Sequence, residues 1–241
     1  MKIGILEAGD IIPGASPHAE YGPMFHEFLT SVDPEIETQA WAIYKGVFPD
    51  SPQDADGWLI SGSKHGVYDP LDWIAPAEQF VRDCMDADVP VVGICFGHQL
   101  IAKAVGAKVQ KSDKGWGTGV NSYRVDERPN WMSAADSETS VRALHQDQVL
   151  SQPPGSTVFA SSEFCEFAGL YYGDKDRPKA ISLQPHPEFT ADYTRNILTA
   201  RRGTAIPEEA CDSGIASLGT PVDNELWARA IVTYLSTARA A

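Results

Sequence analysis

Apolar residues in this chain gather in short blocks, and the spacing inside the blocks changes along its length. Lys2–Leu6, Gly57–Ile60 and Val89–Ile94 are apolar at nearly every position. That pattern predicts strands of a parallel sheet covered on both faces. Between them the spacing turns helical. Met24–Val32 follows Pro23 and sets Phe25, Phe28 and Leu29 on one face. Ala75–Met85 carries Phe80, Val81, Cys84 and Met85, with Pro76 near its start, where proline is favoured. Leu100–Val105 runs up to Gly106, a C-terminal stop. Strand and helix in alternation predict an α/β fold with a doubly wound, mostly parallel central sheet.

After Gly106 the blocks shorten. Val120–Val125, Ser140–Leu144, Thr157–Ala160 and Glu166–Tyr171 predict strands joined by turns such as Pro153-Pro154-Gly155 and Gly173-Asp174. We expect a small antiparallel extension on the same domain. Ala180–Leu183 returns to the buried-strand pattern. Thr190–Arg201 and Asp223–Thr237 predict the last helices, and the small residues of Gly203–Pro221 predict a loop. No internal repeat or low-complexity tract interrupts the chain. Residues 1–241 therefore read as a single domain, with its motifs at 54–189 and a helical segment at 190–241.

Charge narrows the partners. Nineteen Lys and Arg against 33 Asp and Glu give a formal net charge of −14. Nucleic-acid binding depends on clustered Lys and Arg, and an anionic membrane surface attracts the same residues. Neither partner is expected; a small-molecule substrate is. The apolar run at Met1–Leu6 is broken by Glu7 and Asp10, too early for a signal peptide, and the stretch near Val89–Phe96 is far too short to span a bilayer. The four cysteines form no CxxC pair and no zinc spacing. Free thiols in a reducing cytoplasm are the expectation.

The segment Val91-Val92-Gly93-Ile94-Cys95-Phe96-Gly97-His98-Gln99-Leu100 is the most informative. A buried strand runs through Gly-x-Cys-x-Gly into a helix. This is nucleophile-elbow spacing with cysteine in the serine position. Glycines at 93 and 97 let neighbouring backbone approach. The helix N-terminus favours the thiolate, the reactive species. The Phe96 N–H would be placed as an oxyanion donor. The competing reading is a buried structural cysteine in a Gly-rich turn.

A thiolate nucleophile needs a base, and the base needs an orienting acceptor. Gln184-Pro185-His186-Pro187-Glu188-Phe189 follows the strand Ala180–Leu183. Pro187 biases His186 toward extended geometry, where residues two apart share a side. His186 and Glu188 can then lie together, one imidazole nitrogen on the carboxylate and the other toward Cys95. An exposed proline-rich turn is the alternative reading.

These two segments, in this order and this far apart, resemble those of the class I (triad-type) glutamine amidotransferases. Ile60-Ser61-Gly62-Ser63 resembles the oxyanion loop of that family, with Ser61 where one glycine is common. The Ser-Gly-Ser…Val-Tyr-Asp run to Tyr68 and Asp69 is similar to a stand-alone branch that resembles the GMP synthase glutaminase domain. The resemblance implies a flavodoxin-like fold and a triad of Cys95, His186 and Glu188. It implies Gly62 and Phe96 as oxyanion donors and no cofactor. It implies that Gln99 contacts bound glutamine and that Ser61 lies at the substrate. Leu144-His145-Gln146-Asp147 resembles the Ser-His-x-Asp segment beside the glutamine site, which implicates His145 and Asp147. A turn or a helix capped by Asp147 is the other possibility there. The implied reaction passes through a γ-glutamyl thioester on Cys95 and releases ammonia and glutamate. A separate protein that accepts the ammonia is then a possible partner.

Alternatives stay open at this point. The same triad could hydrolyse γ-glutamyl peptides or conjugates. A binding or regulatory homologue would need no chemistry. An α/β-hydrolase would take its acid from before the histidine, from Asp174 or Asp176. Gly115-Trp116-Gly117-Thr118-Gly119 lacks a P-loop's Gly-Lys-Ser/Thr ending and precedes a strand, so a tight turn near the site is expected. His98, His145 and His186 show no metal-ligand spacing, and no metal is expected.

Overall fold

Residues 1–12, 14–18, 20–132 and 137–239 are described by a computed structural model of the protein. Its strands and helices, in chain order, are β1 Lys2–Leu6, α1 Tyr21–Thr30, β2 Glu37–Trp41, β3 Gly57–Ile60, α2 Ile74–Asp86, β4 Val91–Ile94, α3 Phe96–Ala104, β5 Val109–Lys111, β6 Gly117–Val125, β7 Glu138–His145, β8 Asp147–Val149, β9 Ser156–Ser161, β10 Gly169–Gly173, β11 Pro178–Leu183, α4 Ala191–Arg201, α5 Glu208–Ser217 and α6 Asn224–Arg239. No described helix is long and apolar enough to cross a membrane.

The main sheet runs β2-β1-β3-β4-β11-β10-β9-β6-β7. Its first five strands are parallel, and the pairings from β11 outward are antiparallel. The expected antiparallel extension is therefore continuous with the parallel sheet. It also curls back: an antiparallel bridge joins Arg142 of β7 to His186, just past the end of β11. A small second sheet pairs β5 with β8.

The apolar blocks do what their pattern predicts. Every residue of β3 and β4 is buried. One apolar cluster joins α1, α4 and α6 to one face of the sheet. A second joins α2 and α3 to the other. A doubly wound sheet covered on both faces follows from these two layers. Its ligand crevice is expected outside the carboxyl ends of the strands. The ends of β3, β4 and β11 are neighbours there, because Ile60 registers with Gly93 and Leu183 with Ile94.

Several boundaries differ from the sequence reading. The expected loop at Gly203–Pro221 contains a helix, α5, with Glu208 and Glu209 in its first turn. Acidic residues there complement the positive end of the helix. Its small residues serve close packing. A Cβ on Gly119 would lie 2.7 Å from the Gly214 Cα, so α5 lies almost backbone to backbone on β6. Strand β2 escaped notice because Glu-Thr-Gln-Ala-Trp is a largely exposed edge strand without an apolar run. The strand expected at Glu166–Tyr171 begins only at Gly169. Asp147 opens β8 and caps no helix.

Candidate active site

Cys95 links β4 to α3 with φ 52° and ψ −99°. This is left-handed backbone, which a residue with a Cβ adopts only under strain. The surrounding structure enforces it. The Cys95 N–H donates to the Leu183 carbonyl at 2.8 Å, and its own carbonyl accepts from the Gln99 N–H at 3.0 Å. The flanking glycines are sterically required. A Cβ on Gly93 would lie 2.5 Å from the Gly97 carbonyl, and one on Gly97 would lie 2.4 Å from the Ile60 carbonyl oxygen. Phe96 is the first residue of α3, so its N–H has no intrahelical acceptor.

His186 and Glu188 stand beside this turn. The imidazole Nδ1 is 2.7 Å from Glu188 Oε1, with both side chains buried. Cys95 lies close enough to the same imidazole to raise its basicity. Burial alone would lower the basicity of this imidazole. Glu188 and Cys95 outweigh it and lift the pKa to about 10. The arrangement thus favours the charged imidazolium beside Glu188. Phe189 stacks on the imidazole at 3.8 Å and 9°, and Tyr193 meets Phe189 edge-on. The His186 N–H donates to the Arg142 carbonyl, while Arg142 Nη1 and Asn224 Nδ2 donate to the Phe189 carbonyl. The His-x-Glu turn is thereby clamped from β7 and α6.

Gly62 packs on the same pair. A Cβ there would sit 2.9 Å from His186 Cε1 and 3.8 Å from Cys95 Cβ. Ser61 stands behind it and outside the cavity lining. Its hydroxyl accepts from the Ala8 N–H at 2.9 Å and donates to the Gly62 carbonyl at 2.9 Å, so it orients the Gly62–Ser63 peptide.

A cavity of about 420 Å³ opens over Cys95 and His186. Gln99, His145 and Asp147 line it, as does Trp116 from the Gly-rich turn. Gln99 Nε2 donates to the Asp147 carbonyl and to Gln184 Oε1. His145 Nδ1 lies 3.1 Å from the Asp147 carbonyl, an acceptor, so Nδ1 carries the proton. Burial pushes the His145 pKa down to about 4 and leaves the ring neutral. Tyr68 donates to Asp147 Oδ2 at 2.8 Å, bridging two walls. The lining also includes residues that the motifs did not announce, among them Tyr21, Lys111, Ile197 and Arg201. Lys111 could have been found through its pairing with Asp147 across the small sheet. Arg201 had no local signal.

The hydrolase alternative fails on position. Asp174 Oδ1 accepts from the Asp176 and Arg177 N–H groups in the turn before β11. That strand runs six residues, Pro178–Leu183, before the chain reaches His186. At about 3.3 Å per residue, the acid is roughly 20 Å away.

The fold and site together define an α/β enzyme framework with a cysteine at a strained strand-to-helix turn and a buried His–carboxylate pair at the next strand end. Residues 34–201 match the family model "Glutamine amidotransferase class-I", and the chain belongs to that family of amide-hydrolysing enzymes. A glutamine-hydrolyzing GMP synthase subunit from Halobacterium salinarum is 32% identical, over 71% of this chain and 85% of its own. Gamma-glutamyl peptidase 3 of Arabidopsis thaliana is 28% identical over 89% of each chain. A glutamine amidotransferase from Thermotoga maritima shares the fold, with a TM-score of 0.73, 18% identity and 97% coverage of both chains.

Proposed function

We propose that this protein hydrolyses γ-glutamyl amides through a thioester on Cys95, with glutamine or a γ-glutamyl conjugate as substrate. The observation that carries the reading is the buried His186, 2.7 Å from Glu188 and beside Cys95 at the strained turn. The Cys95 thiolate attacks the γ-carbonyl carbon, and the oxygen takes up the charge. The Gly62 and Phe96 N–H groups are the donors for that oxyanion, each of a kind worth about 2.7–4 kcal/mol. The C–N bond breaks as the His186 imidazolium gives its proton to the departing nitrogen. His186 then takes a proton from water, which attacks the thioester and frees glutamate and Cys95. Glu188 holds the imidazole tautomer and stabilises its charged form. Gln99, His145 and Asp147 line the substrate end, and Ser61 acts through Gly62.

Use of the released ammonia in a synthesis would require a separate ammonia-acceptor protein. The test of the chemistry is Cys95→Ala, assayed on L-glutamine and on γ-glutamyl-alanine. Turnover should fall by about 10⁴-fold or more, and the acyl-enzyme mass seen in rapidly quenched wild-type protein should vanish. Substantial residual turnover in the variant would overturn the assignment.

A further inference from the structure

Besides Cys95 and His186, two groups of side chains line the cavity. In one, Gln99, Tyr68 and Asp147 are tied together by hydrogen bonds, with Lys111 in register beside Asp147. In the other, a line of side chains leads away from the imidazole. Phe189 stacks on His186, Tyr193 meets Phe189 edge-on, and Ile197 and Arg201 follow at four-residue steps along α4. Four-residue spacing keeps them on one helix face, and Tyr193, Ile197 and Arg201 all line the cavity. The Arg201 Cα lies about 12 Å along the helix from that of Tyr193. Helical side chains lean toward the N-terminus, which carries the guanidinium back toward the reacting centre. Its positive charge acts on the Tyr193 hydroxyl.

Charge compensation around the cavity is uneven. Its acids are engaged: Asp10 with Tyr44, Asp69 with the Gly66 N–H, and Asp147 with Tyr68. Arg201 has no ion pair or side-chain hydrogen bond among the described residues. Two of the three acids of α5, Glu208 and Asp212, are taken by its neighbour. Arg202 holds Asp212 with bonds of 2.9 and 2.7 Å and Glu208 at 2.9 Å. The Arg201 carbonyl accepts from Thr204 N–H, Thr204 Oγ1 and Ile206 N–H, so the turn that carries it is fixed. An unpaired, half-buried guanidinium on a fixed turn is suited to a carboxylate, which it can hold with two parallel hydrogen bonds. With the glutamyl half at the Gln99 end, as the proposed reading has it, free glutamine offers Arg201 no anion, since its leaving group is ammonia. The cavity volume falls in the range of about 300–1,000 Å³ typical of sites for larger ligands.

We propose that Arg201 is a specificity residue that binds a carboxylate on the amine half of a γ-glutamyl substrate. The preferred substrates are then γ-glutamyl amino acids or short peptides with a free carboxyl terminus. Ile197 packs against the aliphatic part of the leaving amine. The inference rests on the thioester chemistry proposed above.

The test compares kcat/KM for γ-glutamyl-alanine and γ-glutamyl-alanyl-glycine, each against its C-terminal amide. Wild-type protein should prefer the free acid over the amide by about ten- to a hundred-fold in at least one pair. Arg201→Gln should bring that ratio close to one, and Arg201→Lys should keep an intermediate ratio. Absence of an acid preference in both wild-type pairs, or its survival in Arg201→Gln, would overturn the role of Arg201. In either case the Cys95→Ala result still judges the thioester chemistry separately.

Discussion

The parallel strands β1, β3, β4 and β11 and the antiparallel strands β6, β7, β9 and β10 share one sheet, yet they build different parts of the cavity. The parallel half supplies the reacting groups. Gly62, Cys95 and His186 follow directly from β3, β4 and β11, where adjacent strand ends hold them in register. The antiparallel half supplies walls and braces. Leu144 and His145 line the cavity from β7, Arg142 clamps the His-x-Glu turn, and β6 carries α5, which follows Arg201 in the chain. A parallel strand end presents the first few residues past the ladder, which suits a reacting constellation of fixed geometry. Hairpins and the helix laid on them can change length without moving Cys95. Under the proposed reading, the reacting groups come from the parallel half, while the antiparallel half contributes part of the cavity wall.

The largest expected effect lies in the parallel half. Glu188→Gln keeps the shape and the hydrogen bond but removes the charge that lifts His186. We expect kcat to fall by about 10²–10⁴-fold. Burial would then pull the imidazole pKa down, because the Glu188 charge that opposes it is gone. The alkaline limb of the kcat/KM profile should therefore move to lower pH. A variant with near-wild-type kcat and an unmoved limb would show that the carboxylate is only structural.

The antiparallel half should respond in a different measurement. Gly214→Ala would place a Cβ 2.8 Å from Thr118 Oγ1 and 2.9 Å from Leu198 Cδ1. It would also press on the Thr118–Ala210 hydrogen bond that pins α5 to β6. Overpacking of this kind costs roughly 1–3 kcal/mol. We expect a lower Tm and a KM that rises for γ-glutamyl peptides more than kcat falls. An unchanged Tm would show that α5 is not anchored by this contact, and a fall confined to kcat would place α5 in the chemistry.

The same division explains which parts could be read from the sequence. The elbow was legible because its constraints are local: two glycines, a cysteine and an apolar strand lie within seven residues. His186 and Glu188 were legible as a pair two residues apart, but not through extended backbone: Pro187 and Glu188 lie in a turn closed by the Phe189 N–H on the His186 carbonyl at 3.4 Å, and that turn brings Nδ1 to 2.7 Å from Oε1. Strand β2 was not legible, since an exposed edge needs no apolar run. The α5 segment looked like a loop because its small residues signal flexibility in isolation, and only β6 beneath it turns them into packing surface. Arg201 was invisible for a related reason. Its position depends on where α4 ends over the cavity, and no short window of sequence contains that information.

The smallest effects concern two buried neutral histidines, one under each half. His98 of α3 bonds to Ser182 of β11, and burial with the nearby His145 pushes its pKa down to about 3. His145 of β7 is pushed down to about 4. A base depressed in the folded state binds fewer protons there than in the unfolded chain. Stability therefore falls as pH drops below the ordinary histidine value of about 6.5, and each loss continues toward the folded pKa. At pH 5 each histidine costs about 2 kcal/mol relative to neutral pH. Asp147 and Glu7 act in the opposite direction, because burial raises their pKa values and acid then favours the folded form. The net slope mixes these contributions, so the informative quantity is the difference between variants. His98→Asn cannot charge at this position. Its stability by urea titration should decline less from pH 7 to pH 5 than that of the wild type, by about 2 kcal/mol. His145→Asn should show a similar flattening together with a change in KM, because that ring lines the cavity. Parallel pH slopes for wild type and His98→Asn would mean that the His98 pKa is the same in the folded and unfolded chain.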